Sequence, residues 1–233
     1  MAKLTVGFPL YDSFDSLDVI GPFQTFTFAD MDLFLLGPTT DTVKSFEGIA
    51  LTPRATFDDP RQYDLLFVPG GANPVGVLQQ GQLGNNPYLD FLARKAPACT
   101  LVCSVCTGAL LLAAAGLLDG HIATTHWAFK PVLSLFPVKV VDDYRRYVQS
   151  GNRITGGGIS SGLDEALYIV SLLFGTDQAR RGQLAMQYHP QPIFHCGDPA
   201  DADIKDNPEM VSDRIRDFGV PQALENVKQW LDG

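Results

Sequence analysis

Between Lys95 and Asp119 the chain runs without a single charge, and within that run strand-like sequence passes straight into helix-like sequence. Ala98-Cys99-Thr100-Leu101-Val102-Cys103 is short, apolar and rich in β-formers, whereas residues 109–115 are all Ala and Leu, the strongest helix formers. Only Ser104-Val105-Cys106-Thr107-Gly108 lies between them. A strand joined to a helix without a loop requires a sharp turn. Such a turn holds its central side chain at the end of a sheet and demands small residues two positions to either side. Ser104 and Gly108 occupy those positions, so the segment reads small-x-Cys-x-Gly, a thiol counterpart of the G-x-S-x-G elbow. The first N–H groups of the helix and the positive end of its dipole are expected to face the sulfur and favour thiolate. Cys106 is therefore the leading candidate for a nucleophile.

The same run is long enough to cross a membrane. It contains Pro97, Gly108 and Gly116, however, and it opens as a strand, so a buried strand-turn-helix is the better reading. The apolar stretch at residues 1–8 is too short for a signal peptide and reads as a first strand. A soluble, cytoplasmic protein is expected. With 26 acidic and 17 basic residues, a net charge of −9 argues against a nucleic-acid surface, which needs clustered Lys and Arg. The pairs Arg145-Arg146 and Arg180-Arg181 stand beside Asp142-Asp143 and Asp177 and read as solvated charges.

Four cysteines, Cys99, Cys103, Cys106 and Cys196, do not make a disulfide framework. Cys103 and Cys106 spell C-x-x-C, but in a redox pair the first cysteine opens the helix, and here the second does. No second C-x-x-C and no H-x3-H follows, so no zinc is expected. Cys99 and Cys103 read as small buried strand residues.

Strand candidates at 3–9, 32–36, 64–69, 98–103, 121–124 and 153–155 alternate with helix candidates at 14–28, 86–95, 106–115, 127–136 and 159–174. This alternation predicts an α/β fold with a mostly parallel sheet covered on both faces. Ser150-Gly151-Asn152 between 144–149 and 153–155 predicts an antiparallel hairpin. The last of these helices is expected to bury Leu163, Ala166, Leu167, Val170 and Phe174. From Gly197 the chain turns polar and then helical, with too few residues for its own core. The expected division is residues 1–196 as an α/β catalytic domain and 197–233 as a helical extension docked on it.

In open α/β sheets reactive groups gather at the carboxyl ends of strands. Pro69-Gly70-Gly71 ends a buried strand, and glycines there bring a backbone N–H close to a reacting atom. Gly71 N–H and Thr107 N–H would form a two-donor hole for developing negative charge, unless Pro-Gly-Gly is a plain turn. Asp18, among apolar residues after the first strand, is either an N-terminal helix charge or a buried carboxyl beside the thiol; Asp12 and Asp15 could fill the same part. His126, in Thr124-Thr125-His126-Trp127, either orients the thiol or is structural. Gly156-Gly157-Gly158 lacks the lysine of a phosphate loop and reads as close helix packing.

These segments carry a resemblance. Pro69-Gly70-Gly71, Ser104-Val105-Cys106-Thr107-Gly108 and Ala123-Thr124-Thr125-His126-Trp127, in this order, resemble the ThiJ/PfpI superfamily of class-I-amidotransferase-like proteins. That resemblance implies a flavodoxin-like three-layer α/β/α sandwich with a nucleophile elbow, and homodimers. Many members carry Glu after the first strand. Asp18 here, with 114–120 and 154–159, looks most like the isonitrile (isocyanide) hydratases. The resemblance implies hydration of an isocyanide to an N-substituted formamide without metal or organic cofactor. In that scheme Cys106 attacks, Asp18 moves protons and Thr107 holds the two in register. Gly70 and His126 are supporting candidates, and Tyr188 and Ile159 are candidates to line an apolar pocket. A glyoxalase-like or amidase-like cysteine enzyme, or a non-catalytic ligand or oxidation sensor, is the alternative; AraC-type regulators share Thr-Thr-His-Trp and the Val-Cys-Thr-Gly run.

Overall fold

The computed structural model describes residues 3–205 and 207–233. Its strands are β1 (Thr5–Pro9), β2 (Asp32–Gly37), β3 (Val43–Lys44), β4 (Ala50–Leu51), β5 (Ala55–Thr56), β6 (Leu65–Val68), β7 (Leu101–Ser104), β8 (Ile122–Ala123), β9 (Lys139–Val140), β10 (Tyr147–Ser150) and β11 (Arg153–Gly156). Its helices are α1 (Ser16–Phe28), α2 (Pro74–Leu78), α3 (Pro87–Lys95), α4 (Gly108–Ala114), α5 (Lys130–Leu133), α6 (Ser161–Phe174), α7 (Thr176–Ala185), α8 (Ala202–Lys205), α9 (Pro208–Asp217) and α10 (Val220–Asp232).

Among the described residues the main sheet has the order β10-β11-β7-β6-β1-β2-β5. Every pairing in it is parallel except that of β10 with β11 at one edge. Strands β6 and β7 are buried at every residue, as their unbroken apolar sequences require of strands covered on both faces. Helices α1, α6 and α7 pack together in one layer, and α2, α3, α4 and α5 in the other, where α10 joins α2 and α5. The result is the three-layer α/β/α arrangement. Chain order reverses between β1 and β6, the crevice where such sheets place their sites. The segments after β1, β6 and β7 carry Asp18, Gly70 and Cys106.

The charge-free run resolves into separate elements, and no helix among the described residues is long and apolar enough to cross a membrane. Pro97 holds a short turn at Ala96–Ala98, so β7 starts at Leu101 rather than 98, and Cys99 precedes the strand instead of lying in it. Helix α4 starts at Gly108 rather than 106, because the elbow itself takes up Cys106 and Thr107.

The expected strand at 121–124 is reduced to Ile122–Ala123, which pairs with β9 outside the main sheet. The place beside β7 belongs to β11, and Thr124 N–H is taken by the Thr155 hydroxyl at 2.9 Å. The expected helix at 127–136 is a turn at Trp127–Phe129 followed by the short α5. Helix α6 buries Ala166 and Val170 as expected, but together with Ser161, Gly162, Glu165 and Ile169 rather than with Leu163, Leu167 and Phe174, so the buried face is rotated. Gly162 lets α6 approach Pro22 and Val105 closely, so its apolar stripe turns partly outward. Helices α2 and α7 were not legible: the first is five residues long and the second carries few apolar residues.

Candidate active site

Helix α1 begins at an Asp15 cap, whose side chain accepts from Leu17 N–H at 2.9 Å. The cap is therefore Asp15, and Asp18 is released from that duty. The Asp18 side chain crosses instead to β6, where Gly70 N–H donates to Oδ2 at 2.8 Å. Gly70 is a steric necessity. A Cβ there would lie 2.5 Å from Thr107 N and 2.8 Å from Cys106 Cβ. Gly108 is required in the same way, since its Cβ would lie 2.3 Å from the Val68 carbonyl oxygen.

Cys106 adopts φ of +55°, a left-handed conformation costly for a residue with a side chain. Its backbone is clamped on both sides: its N–H donates to Gly157 O at 2.8 Å and its carbonyl accepts from the Thr125 hydroxyl at 2.8 Å. These bonds offset the strain that points the thiol into the site. The Thr107 hydroxyl bridges back to Gly71, accepting from its N–H at 3.0 Å and lying 3.1 Å from its carbonyl. Gly71 N–H is thus engaged within the protein. The N–H groups that face the sulfur are those of Thr107 and Ile159.

Those two donors are not the largest influences on the thiol. Burial, and then the Asp18 carboxylate, push the Cys106 thiol well above its ordinary range against both N–H groups. Burial and Asp18 thus oppose the thiolate that the helix N-terminus favours. Burial and then Asp15 push the Asp18 carboxyl up as well, opposed by Gly70 N–H and the Cys106 thiol. Two acids facing one another away from water share protons rather than both ionise. Asp18 is fully buried, and its second oxygen, Oδ1, has no hydrogen-bond partner in the protein. One oxygen is fixed, and the other is available for proton transfer.

A cavity of about 360 Å³ opens over the sulfur, with Phe46, Thr107, Phe129, Ile159 and Phe218 in its mostly apolar wall. A larger, more polar cavity of about 490 Å³ shares His126 and Ile159 with it and does not include Cys106. His126 is in both walls. Its Nδ1 accepts from Ala128 N–H at 3.3 Å, its ring packs on Trp127, Phe129 and Phe218, and burial pushes its pKa down to about 4. No hydrogen bond joins it to the thiol. Tyr188 lies apart, its hydroxyl donating to Asp164 Oδ1 at 2.9 Å.

Sequence reasoning missed Tyr11, Glu165, Phe46 and Phe218. The Tyr11 hydroxyl is buried, and burial, then Tyr88, Asp18 and Cys106, push it well above its ordinary range against a contact with Thr107. Glu165 is fully buried on α6 with neither carboxyl oxygen hydrogen-bonded; burial and then Asp18 push it well above the carboxylate range. Its only sequence signal is its place four residues after Ser161 and three after Gly162, on the small-residue face. Among the described residues no group of three His, Cys, Asp or Glu side chains could hold a metal.

The sequence profile described as the DJ-1/PfpI family matches residues 5–172, a span that includes Asp18, Gly70, Cys106, His126 and Ile159. The chain belongs to the DJ-1/PfpI family. Among its relatives in that family, the isonitrile hydratase of Pseudomonas putida is 39% identical over 222 residues, covering 94% of this chain and 91% of that protein. The crystal structure of a ThiJ/PfpI family protein from Pseudomonas syringae superposes with a TM-score of 0.87 at 30% identity, over 97% of this chain and 91% of that one. The HTH-type transcriptional regulator GbdR of Pseudomonas aeruginosa is 26% identical, but the match covers 74% of this chain and only 47% of the regulator.

Proposed function

We propose that this DJ-1/PfpI protein is an isocyanide hydratase, a hydro-lyase that joins R–N≡C and water into R–NH–CHO. The observation that carries the reading is the Asp18 carboxyl: buried, anchored to Gly70 N–H through one oxygen only, and facing the Cys106 thiol under an apolar cavity. Isocyanides lack hydrogen-bond donors, which suits that wall. The likeness to the Pseudomonas putida isonitrile hydratase along nearly the whole chain supports it.

The terminal isocyanide carbon accepts a soft nucleophile and must also gain a proton. Cys106 sulfur bonds to that carbon as the thiol proton passes through Asp18 to the same carbon, giving the thioimidate R–N=CH–S. No net charge is created in the dry site, so the raised thiol is no obstacle: proton and sulfur are both delivered. Water then adds to the thioimidate carbon while a proton goes to nitrogen. The tetrahedral adduct R–NH–CH(OH)–S collapses to R–NH–CHO as Asp18 takes the hydroxyl proton and passes a proton to the departing sulfur, which restores the thiol. Thr107, tied to Gly71 through its hydroxyl, keeps the elbow in register with the Gly70-Asp18 pair.

The test is direct. Purified protein incubated with a simple alkyl isocyanide is followed by NMR for the formamide, and Cys106→Ser should form none. Asp18→Asn should lose about 10²–10⁴-fold in rate, the usual worth of a positioned proton donor. No formamide at high concentrations of the unmutated protein would sink the reading.

A further inference from the structure

The family profile ends at residue 172, yet the cavity over Cys106 is bounded in part by residues 217 and 218. How the chain brings them there is visible. Helix α10 is anchored on α2 and α5 through Val220, Ala223 and Val227, all buried. Gly219, with φ of +64°, turns the chain sharply between α9 and α10. Phe218 sits at that corner as the C-cap of α9, its N–H donating to Arg214 O at 2.9 Å. Its ring meets His126 edge-on, with centroids 5.0 Å apart and planes at 79°, and meets Trp127 at 6.4 Å. The Asp217 carboxylate beside it is paired with Arg214 at 2.7 Å, and both are exposed.

Phe218 remains 42% exposed, and Phe46, in the wall of the same cavity, 54%. Two half-open phenylalanines above one buried thiol leave apolar surface free to meet an apolar group bound in the cavity. Phe46 comes from the family domain and Phe218 from the C-terminal extension. The cavity volume of about 360 Å³ is near the lower end for small-molecule sites.

We propose that Phe218 is a specificity-determining residue: with Phe46 it clamps the apolar R group of the substrate and sets an upper limit on its bulk. The part naming an isocyanide rests on the function proposed above; the size limit on what reaches Cys106 does not. The extension is then a working wall of the site, and a compact alkyl group is the substrate class it admits.

The experiment reads access to the thiol separately from turnover. Intact protein and the Phe218→Ala and Phe218→Leu variants are treated with a small thiol reagent, iodoacetamide, and a bulky one, N-phenylmaleimide. Labelling of the peptide carrying Cys106 is followed by mass spectrometry, which sets aside the exposed Cys196. The bulky-to-small rate ratio should rise about tenfold in Phe218→Ala and less in Phe218→Leu, as expected when a side chain walls an apolar pocket. The ratio of kcat/KM for cyclohexyl over methyl isocyanide should rise in the same order. Circular dichroism and thermal unfolding verify that each variant is folded, and Phe218→Leu stands in if Phe218→Ala is not. A labelling ratio unchanged in the folded variants would overturn the proposal. A changed labelling ratio with no turnover of any isocyanide would keep the wall and remove the hydratase.

Discussion

His126 offers a sharp way to separate a structural imidazole from a catalytic one. Burial alone pushes it from the ordinary 6.5 to about 4, with no acidic partner among the causes. The unfolded chain takes up a proton near pH 6.5 and the native protein does so only near pH 4. Between those values the unfolded state holds more protons, so stability rises with pH, is fully present above about 6.5 and is lost as pH falls. At pH 5 the two pKa values give a loss of about 2 kcal/mol relative to pH 7.5. His126→Asn keeps an acceptor for Ala128 N–H but has nothing to titrate. Urea unfolding of both proteins at pH 7.5 and 5.0 reads the effect as a double difference, in which the other titrating groups cancel. The variant should be less stable at pH 7.5, having lost the packing on Trp127, Phe129 and Phe218. That gap should close by about 2 kcal/mol at pH 5. A gap that widens on acidification would refute the reasoning, because it would mean a protonated imidazole stabilised by an anion such as the Cys106 thiolate.

Two further outcomes follow from the buried groups around the elbow. Glu165 has the opposite sign: its native pKa is raised above the unfolded value, so its contribution is present at low pH and lost as pH climbs through the native value. Glu165→Gln should therefore gain stability relative to the unmutated protein between pH 5 and pH 8 in the same urea assay; a pH-independent difference would mean that this carboxyl is not held protonated. Gly108→Ala drives a Cβ to 2.3 Å from the Val68 carbonyl oxygen. It should cost about 2 kcal/mol or more and lower Tm by about 5 °C in calorimetry, and an unchanged Tm would mean the elbow is not packed on β6 in this way.

The elbow was legible because it is local. Helix-forming Ala and Leu directly after a β-rich run leave the backbone one way to turn, and Ser104 and Gly108 mark where. The same holds for the alternation of elements that makes a parallel sheet, and for the Gly151 hairpin. Asp18 was readable only as one of three nearby carboxyls, since Asp15 can cap α1 equally well on sequence grounds. The bond from Gly70 N–H, 52 residues away, selects Asp18. Glu165 stayed hidden because the apolar stripe of α6 pointed to a different face, and small residues that admit close packing leave little periodic signal.

What the chain determined by itself, then, was placement: a strained cysteine at the end of a central strand in an α/β sheet, with glycines where backbones must nearly touch. The electrostatic setting of that thiol belongs to the tertiary structure. A helix N-terminus read in isolation favours thiolate, but burial and a facing carboxyl outweigh two N–H groups and push the thiol's pKa up. The wall above it was likewise a tertiary matter, since Phe218 reaches the sulfur's cavity only through a helix docked far from it in sequence. Desolvation and long-range contact are properties of the packed molecule, and no local pattern of residues encodes them.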